Sequence, residues 1–315
     1  MYVVGIDVGG QTSKIGVVDA RGTVLAQTVI RTDNHDVVEL FIAELAEAVK
    51  KVIKEADVEG KVRGIGVGAP NGNYYTGTIE NAPNLSWGHN RVEFAKLLSE
   101  AMGGMPVALT NDANAAAVGE MTYGAARGMK NFIMITLGTG VGSGIVINGE
   151  VVYGHDGFAG ELGHTAAVRN NGRTCGCGKT GCLETYASAT GVARTAREWL
   201  ELSDEPSVLR NLDNIASKDV YDAAKDGDKL ALKIFEFTGK ILGRSFADFV
   251  AFSAPEAIVL FGGLARAKEF LNGPIEESMN ANLLPLWRNK VKVIYSQLKE
   301  SDAAILGASA LAWEL

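Results

Sequence analysis

The chain has 315 residues, enough for one large or two medium domains, with 47% apolar and 21% charged residues and a net charge of −7. That balance fits a globular protein with its own cores, and interspersed charges of net negative sign argue against nucleic-acid binding. No apolar run approaches the roughly 20 residues needed to cross a bilayer, so no membrane partner is expected.

Met1-Tyr2-Val3-Val4-Gly5 begins directly in a strand-like pattern, with no charged region or cleavage site ahead of it. Together with three clustered cysteines, this points to a reducing, cytoplasmic setting. Glycine is over-represented, at 38 residues against an average near 7%. The glycines gather beside predicted strands, as expected where backbone approaches a ligand.

Tyr2 to Ile6 reads as a strand running into Asp7-Val8-Gly9-Gly10-Gln11-Thr12, with further strands over Ser13–Val18 and Thr23–Ile30. The hairpin tip exposes backbone N–H groups suited to phosphate oxygens. Asp7 would hold magnesium, through water. An ordinary hairpin turn is the alternative. Val38, Phe41, Ile42, Leu45, Val49 and Val52 fall at helical spacing, so residues 35–56 form an amphipathic helix that Asp33 or Asn34 can cap. The strand Val62–Gly68 leads into Pro70-Asn71-Gly72, a simple connection or a loop presented to a ligand. Asn81, Asn84 and Trp87 are residue types that line sugar sites, and Arg91–Met102 reads as a helix.

The strand Pro106–Thr110 stops at Asn111-Asp112, and a helix rich in alanine follows. Asp112 is then either an ordinary N-cap or a carboxylate at the C-terminal end of a parallel strand, where open α/β sheets bind ligands. Asn131–Leu137 is a buried strand ending in Gly138-Thr139-Gly140-Val141-Gly142-Ser143-Gly144, with Ile145–Ile147 as its continuation. This repeats the first hairpin about 130 residues later, as a two-domain phosphate clamp would. No helix follows the turn, which excludes a dinucleotide-binding reading, and no Gly-Lys-Ser/Thr ends it.

Cys175-x-Cys177-x4-Cys182, with His164 eleven residues upstream of Cys175, supplies three thiolates and one imidazole. That is the donor set of a closed, structural tetrahedral zinc site. Three buried thiols beside an unrelated histidine are the alternative. Gly176, Gly178 and Gly181 let so short a segment bend, and Glu161 and Glu184 flank it without serving the metal. Helices over Leu183–Leu202, Lys218–Ala224 and Asp228–Phe252 follow. The strand Ala257–Leu260 reaches a third turn at Phe261-Gly262-Gly263, and a last strand spans Val291–Tyr295. The helix Asp302–Glu314 carries small residues, as does the helix after Asp112, so the two should pack together and could form an interdomain hinge.

These motifs resemble the ROK (repressor, open reading frame, kinase) family of sugar kinases over essentially the whole chain. The most specific is Glu161-x-Gly-His164 followed by Cys175-x-Cys177-Gly-x-x-Gly-Cys182-x-Glu184. Asp7-Val-Gly-Gly matches the family's first phosphate motif, Leu137-Gly-Thr-Gly-Val-Gly-x-Gly the second and Phe261-Gly262-Gly263 the adenosine motif. The resemblance implies an α/β, two-domain actin/hexokinase/Hsp70-like (ribonuclease H-like) fold with an interdomain active-site cleft. Residues 1–123 plus 302–315 would form a small domain closed by the C-terminal helix, and 124–301 a large domain carrying the zinc segment.

The implied activity is ATP-dependent phosphorylation of glucose to glucose 6-phosphate. Asn81-Ala-Pro-Asn84-Leu-x-Trp87 resembles the segment of the family's glucokinases. Asp112 would be the general base, paired with Asn111. Gly72, Asn84, Glu161, His164 and Glu184 would bind the sugar, with His164 also ligating zinc beside Cys175, Cys177 and Cys182. ATP and magnesium would be held by Asp7, Gly9, Gly10, Gln11, Thr12, Lys14, Gly138, Thr139, Gly140, Gly142, Gly262 and Gly263. Gln11 replaces the family's usual threonine and Asn71 interrupts its usual Pro-Gly, which bears on the contact from Gly72. The alternatives are another hexose (N-acetylmannosamine, fructose, mannose or allose) and polyphosphate as donor. A sugar-sensing repressor would need roughly 70 further N-terminal residues for a helix-turn-helix, and the first strand starts at residue 2. The family also implies a homodimer or homotetramer.

Overall fold

A computed structural model describes residues 1–315, the side chain of Glu300 excepted. Contacts group the chain into two compact units, Met1–Met129 with Gly144–Gly160 and Ser296–Leu315, and Lys130–Ser143 with Glu161–Tyr295. The first differs from the expected 1–123 plus 302–315 chiefly in taking in Gly144–Gly160. Among the described residues, no helix is long and apolar enough to cross a membrane.

In chain order, the elements begin with β1 (Tyr2–Val8), β2 (Thr12–Asp19), β3 (Val24–Arg31), α1 (Val38–Glu55) and β4 (Val62–Ala69). Three short strands β5 (Gly72–Asn73), β6 (Thr78–Glu80) and β7 (Arg91–Val92) form a small sheet of their own. Then come α2 (Phe94–Ala101), β8 (Val107–Asn111), α3 (Asp112–Tyr123), β9 (Phe132–Leu137), β10 (Val141–Ile147) and β11 (Glu150–Val151). The chain continues through α4 (Glu184–Ala187), α5 (Ala189–Leu202), α6 (Ser217–Lys225) and α7 (Lys229–Ser253). It closes with β12 (Ala257–Phe261), α8 (Lys268–Asn282), β13 (Lys292–Tyr295) and α9 (Glu300–Leu311).

The two large sheets have the strand orders β3-β2-β1-β4-β8 and β11-β10-β9-β12-β13. In both, a hairpin precedes two strands added in parallel, so the repeated glycine hairpins belong to a repeated topology. The physical reason lies in the strand sequences. Val3, Val4, Ile6 and Val8 of β1 and Ile133, Met134, Ile135 and Leu137 of β9 are buried without polar alternation. Such strands need cover on both faces, which parallel sheets receive from helices.

Helix α1 buries Phe41, Ile42, Leu45, Val49 and Val52 as its spacing requires. It begins at Val38 with Val37 as N-cap and no side-chain cap. The expected cap from Asp33 or Asn34 is not made, because both lie in a separate turn of 3-10 helix and Asp33 accepts from Arg31 Nε at 2.8 Å. Arg91–Val92 pairs with β6, so α2 starts only at Phe94. Trp87, expected to line a sugar site, is a core residue instead. It is buried and stacks on Phe41 at 5.2 Å and Phe94 at 5.8 Å between ring centroids.

The two helices with small faces do pack together. A Cβ on Gly119 of α3 would lie 2.7 Å from the Cα of Gly307 in α9. Helix α9 also presses on the first sheet, where a Cβ on Gly5 or Gly66 would meet the carbonyl oxygen of Ile305 at 2.1 Å or Ala308 at 1.9 Å. Both obstacles are backbone, which cannot swing aside. Gly66→Ala should therefore destabilise the protein by about 3 kcal/mol, read as a lower unfolding midpoint in denaturant. A midpoint equal to the parent's would mean that α9 retreats at no cost.

Candidate functional site

In the first unit, Asp7 lies near the end of β1, opposite Lys14 of β2 and beside Gly68 of β4 in the sheet register. Gly68 is in turn set against α3, where its Cβ would lie 3.6 Å from the Cα of Asp112 and 3.2 Å from the Cβ of Ala115. Missing side chains at Gly68 thus let Asp7 and Asp112 stand near one another. Sequence reasoning did not single out Gly68. Asp112 opens α3 at the end of β8, and Asn111 caps the helix by accepting from the Ala113 N–H at 2.9 Å. The same N–H donates to Asp112 Oδ1 at 2.8 Å.

Electrostatics mark this pair. Burial and the Asp112 charge, opposed by Lys14, push the Asp7 carboxyl from 3.8 up to about 6. The Asp112 carboxyl is also raised, by the protein atoms crowded around it, although the side chain still meets solvent. Two carboxylates so placed lower their mutual repulsion by gathering a cation, and hard divalent ions prefer such oxygens.

The Asp7 shift has a testable sign. Between about 3.8 and 6 the folded chain keeps a proton that the unfolded chain has released, so stability falls as pH rises through that window. Above it, ionised Asp7 costs the fold about 1–2 kcal/mol after discounting its residual solvent contact. Asp7→Asn should melt a few degrees above the parent at pH about 7.5 without added magnesium, the gap closing towards pH about 4. Calorimetry of both proteins checks this, and a lower melting temperature for the variant at neutral pH would contradict it.

The hairpin tip is tight, with the Gly9 N–H donating to the Thr12 carbonyl at 3.1 Å. A Cβ on Gly10 would lie 2.7 Å from the carbonyl oxygen of Asn84, which brings the exposed Asn84 to this turn. Gln11 is exposed and Thr12 half-buried beside it. Gly72 is buried, and a Cβ there would meet the Thr110 carbonyl oxygen at 2.4 Å, a steric reason for glycine. Asn71 turns back in the left-handed region (φ 51°), and its amide donates to the carbonyls of Glu80 at 3.0 Å and Asn81 at 2.8 Å.

In the second unit, β9 ends at Leu137 and the turn closes with the Gly138 N–H donating to the Gly140 carbonyl at 3.0 Å. Gly262, with φ of 102°, sits against Leu137, where a Cβ would be 2.6 Å from the Leu137 carbonyl oxygen. The Gly138 and Gly262-Gly263 turns are therefore neighbours at the ends of the parallel strands β9 and β12, and no atom crowds the Cα of Gly138 or Gly263. Helix α5 starts against the same turn, with the Ala189 N–H donating to the Gly138 carbonyl at 2.8 Å and the Thr190 hydroxyl to the Thr139 carbonyl at 2.9 Å. The amides of Val141 and Gly142 donate to Glu184 at 2.9 Å and to the Thr136 hydroxyl at 3.1 Å. The turn is thus less open than a bare nest of outward N–H groups, because part of it fixes Glu184.

The ligating atoms of His164, Cys175, Cys177 and Cys182 all lie within 4.8 Å of one another, a group able to hold a metal ion. Cys175 Sγ is 3.7 Å from His164 Nδ1, and Cys177 Sγ is 3.7 Å from Cys182 Sγ. Sulfurs about 2.3 Å from a tetrahedral centre stand about 3.8 Å apart, so the spacing fits such a centre. Burial and the neighbouring sulfurs push the Cys182 thiol up to about 12. The loop that brings them together needs glycine at two points. Gly178 has φ of 87°, and Gly181 has φ of 78° with the Val168 carbonyl oxygen 1.8 Å from where a Cβ would stand.

Glu161, His164 and Glu184 are drawn towards the same loop. The His164 N–H donates to the Glu161 carbonyl at 3.1 Å, and Gly163 between them lies so close to the Val141 carbonyl that a Cβ would be 2.0 Å from its oxygen. Cys175 Sγ approaches both His164 and Glu184, the latter at 3.8 Å to Oε1. The His164 imidazole and the Glu184 carboxylate so grouped can donate to and accept from vicinal hydroxyls, and Glu161 is placed here by its backbone.

Two sheets of one strand order, each with glycine turns at strand ends and helices beside it, have the two-domain actin/hexokinase/Hsp70-like fold. The ROK family profile matches residues 3–314, and the chain belongs to that family. It is 38% identical to a glucokinase of Halalkalibacterium halodurans, over 97% of this chain and 93% of that one. Among solved structures, a ROK hexokinase from Thermus thermophilus superposes with a TM-score of 0.84 at 31% identity, over 100% of this chain and 98% of that chain. A ROK glucokinase from Streptomyces griseus, in complex with glucose and AMPPNP, does so with a TM-score of 0.81 at 32% identity, over 100% of both.

Proposed function

We propose that this chain transfers the γ-phosphoryl group of ATP to the 6-hydroxyl of glucose, with Asp112 as general base. The observation that carries this reading is Asp112 at the C-terminal end of a parallel strand, its carboxyl raised by its surroundings and neighboured by a second carboxylate. A sugar hydroxyl is a weak nucleophile at neutral pH. Asp112 takes its proton as the new O–P bond forms and the bond from the γ-phosphorus to ADP breaks. Asp7 suits a magnesium ion, which would neutralise phosphate charge when bound and leave Asp112 free to take the proton. Lys14 adds a fixed positive charge beside them.

The remaining roles follow residue by residue. Asn84 and Asn111 contact the sugar, as do Glu161, His164 and Glu184, while Gly72 serves it only through its backbone. Gly9, Gly10, Gln11 and Thr12, Gly138, Thr139, Gly140 and Gly142, and Gly262 with Gly263 receive the nucleotide. Zinc would be held by His164, Cys175, Cys177 and Cys182, where its charge gathers the three thiolates and fixes the loop bearing the sugar contacts. A homodimer or homotetramer in the cytoplasm completes the reading.

ATP consumption measured with glucose, N-acetylmannosamine, fructose, mannose and allose tests it. Glucose should give the highest kcat/KM. Turnover on another hexose with none on glucose would replace the substrate while leaving the reaction class in place.

A further inference from the structure

Helix α4 has four residues, Glu184–Ala187, and its N-cap Leu183 makes no side-chain cap. A single turn of helix is unstable by itself, because fixing its dihedrals costs more than its one or two hydrogen bonds return. Something outside must hold it. The Val141 N–H grips the Glu184 carboxylate at 2.9 Å. The Thr185 hydroxyl donates to the Cys182 carbonyl at 2.8 Å, and the remaining side-chain contacts of the turn come from a residue that plays no part in the proposed chemistry.

That residue is Arg173, buried with 9% of its surface exposed. Its Nη1 donates to the Thr185 carbonyl at 2.8 Å and its Nη2 to the Thr195 hydroxyl at 2.9 Å. Its Nε donates to Glu198 at 3.0 Å, and the guanidinium carbon stands 4.5 Å above the Tyr186 ring. The Arg173 backbone N–H donates to the Tyr186 hydroxyl at 2.8 Å. Two of the four residues of α4 are thus tied to one guanidinium group and its own backbone. Arg173 belongs to the cysteine loop, two residues before Cys175, yet donates none of its bonds to the sulfur cluster.

We propose that Arg173 is the positioning residue for Glu184, an anchor that sets this sugar contact from the side of α4 away from Val141. The inference rests on the reading of Glu184 as a sugar contact. The Cys/His cluster holds His164 and touches α4 at Glu184 and Thr185, and Arg173 fixes the rest of α4 through the Thr185 carbonyl and Tyr186. The planar fork matters, because its separate nitrogens reach a carbonyl, a hydroxyl and a carboxylate on different sides while the plane lies over Tyr186, a spread that the single nitrogen of an ammonium does not match.

Glu184→Gln, Arg173→Met and Arg173→Lys are compared for KM of glucose, KM of ATP, kcat, melting temperature and zinc per chain. Arg173→Met should raise the glucose KM about tenfold, with the ATP KM and the zinc content as in the parent and kcat within about threefold. Arg173→Lys should fall between, near a threefold rise. A merely structural loss would lower stability and change both KM values together, and that pattern overturns the proposal. So does a parental glucose KM in Arg173→Met, or in Arg173→Lys where the methionine variant does not fold, when Glu184→Gln has raised it. A parental glucose KM in Glu184→Gln instead removes Glu184 from the sugar site, and the positioning role goes with it.

Discussion

Asp112→Asn should lower kcat about a thousandfold while leaving the glucose and ATP KM values within about threefold. The asparagine keeps the side chain's size and can still accept a hydrogen bond at the start of α3, so the fold is undisturbed. What disappears is the proton acceptor. The dense surroundings that raise the Asp112 carboxyl make it a better base than an ordinary aspartate. Because only the ionised form accepts a proton, activity falls as pH drops through that raised value. The acid limb of kcat should therefore lie above the ordinary carboxylate value of 3.8. Steady-state kinetics of parent and variant from pH about 5 to 8.5 provide the test. Near-parental turnover in the asparagine enzyme would remove Asp112 from proton transfer.

Cys177→Ser should lose bound zinc and raise the glucose KM at least about tenfold. Structural zinc binding is worth on the order of 10 kcal/mol, and that energy is spent on organising the loop. With the metal gone, the sulfurs and His164 no longer share a centre, and His164 is free to turn from the sugar. Chelation of the parent should reproduce the change, and added zinc should reverse it there only. Elemental analysis beside glucose titration decides the matter, and a zinc-free Cys177→Ser protein with parental glucose KM would reduce the cluster to a bystander. Because Arg173 and Cys177 lie in one loop that also meets α4 at Cys175 and Cys182, the effects of Cys177→Ser and Arg173→Met should be coupled, the double variant losing less than the product of the two.

Much of this was legible from residue order. Apolar runs announced the strands of both sheets, because β1, β4, β9 and β12 are buried on two faces and cannot hide that in alternation. The cysteine spacing announced the Cys/His cluster, since donor type and separation are themselves the signal. Other features depend on partners remote in sequence. Trp87 is a polar-tipped aromatic whose burial is decided by Phe41 and Phe94, residues that no local pattern connects to it. Arg173 reads as one more loop cation until Thr195 and Glu198, more than twenty positions on, turn its guanidinium inward. Glycines 5, 66 and 68 look like loose strand residues, and only the approach of α9 and α3 explains them.

The seating of α9 on the first sheet bears on synthesis at the ribosome. Strands β1 and β4 emerge early, but the helix whose carbonyls press on Gly5 and Gly66 is translated more than 230 residues later. Until then the nascent chain carries an apolar sheet face around Val3 and Val18 that Ile305 and Leu306 will eventually cover. The second unit's segments, which end at Tyr295, hold a core that does not need α9. We expect a released chain ending at Tyr295 to protect the second unit from protease while the first is cut. Equal protection of both would show that the early strands find other cover.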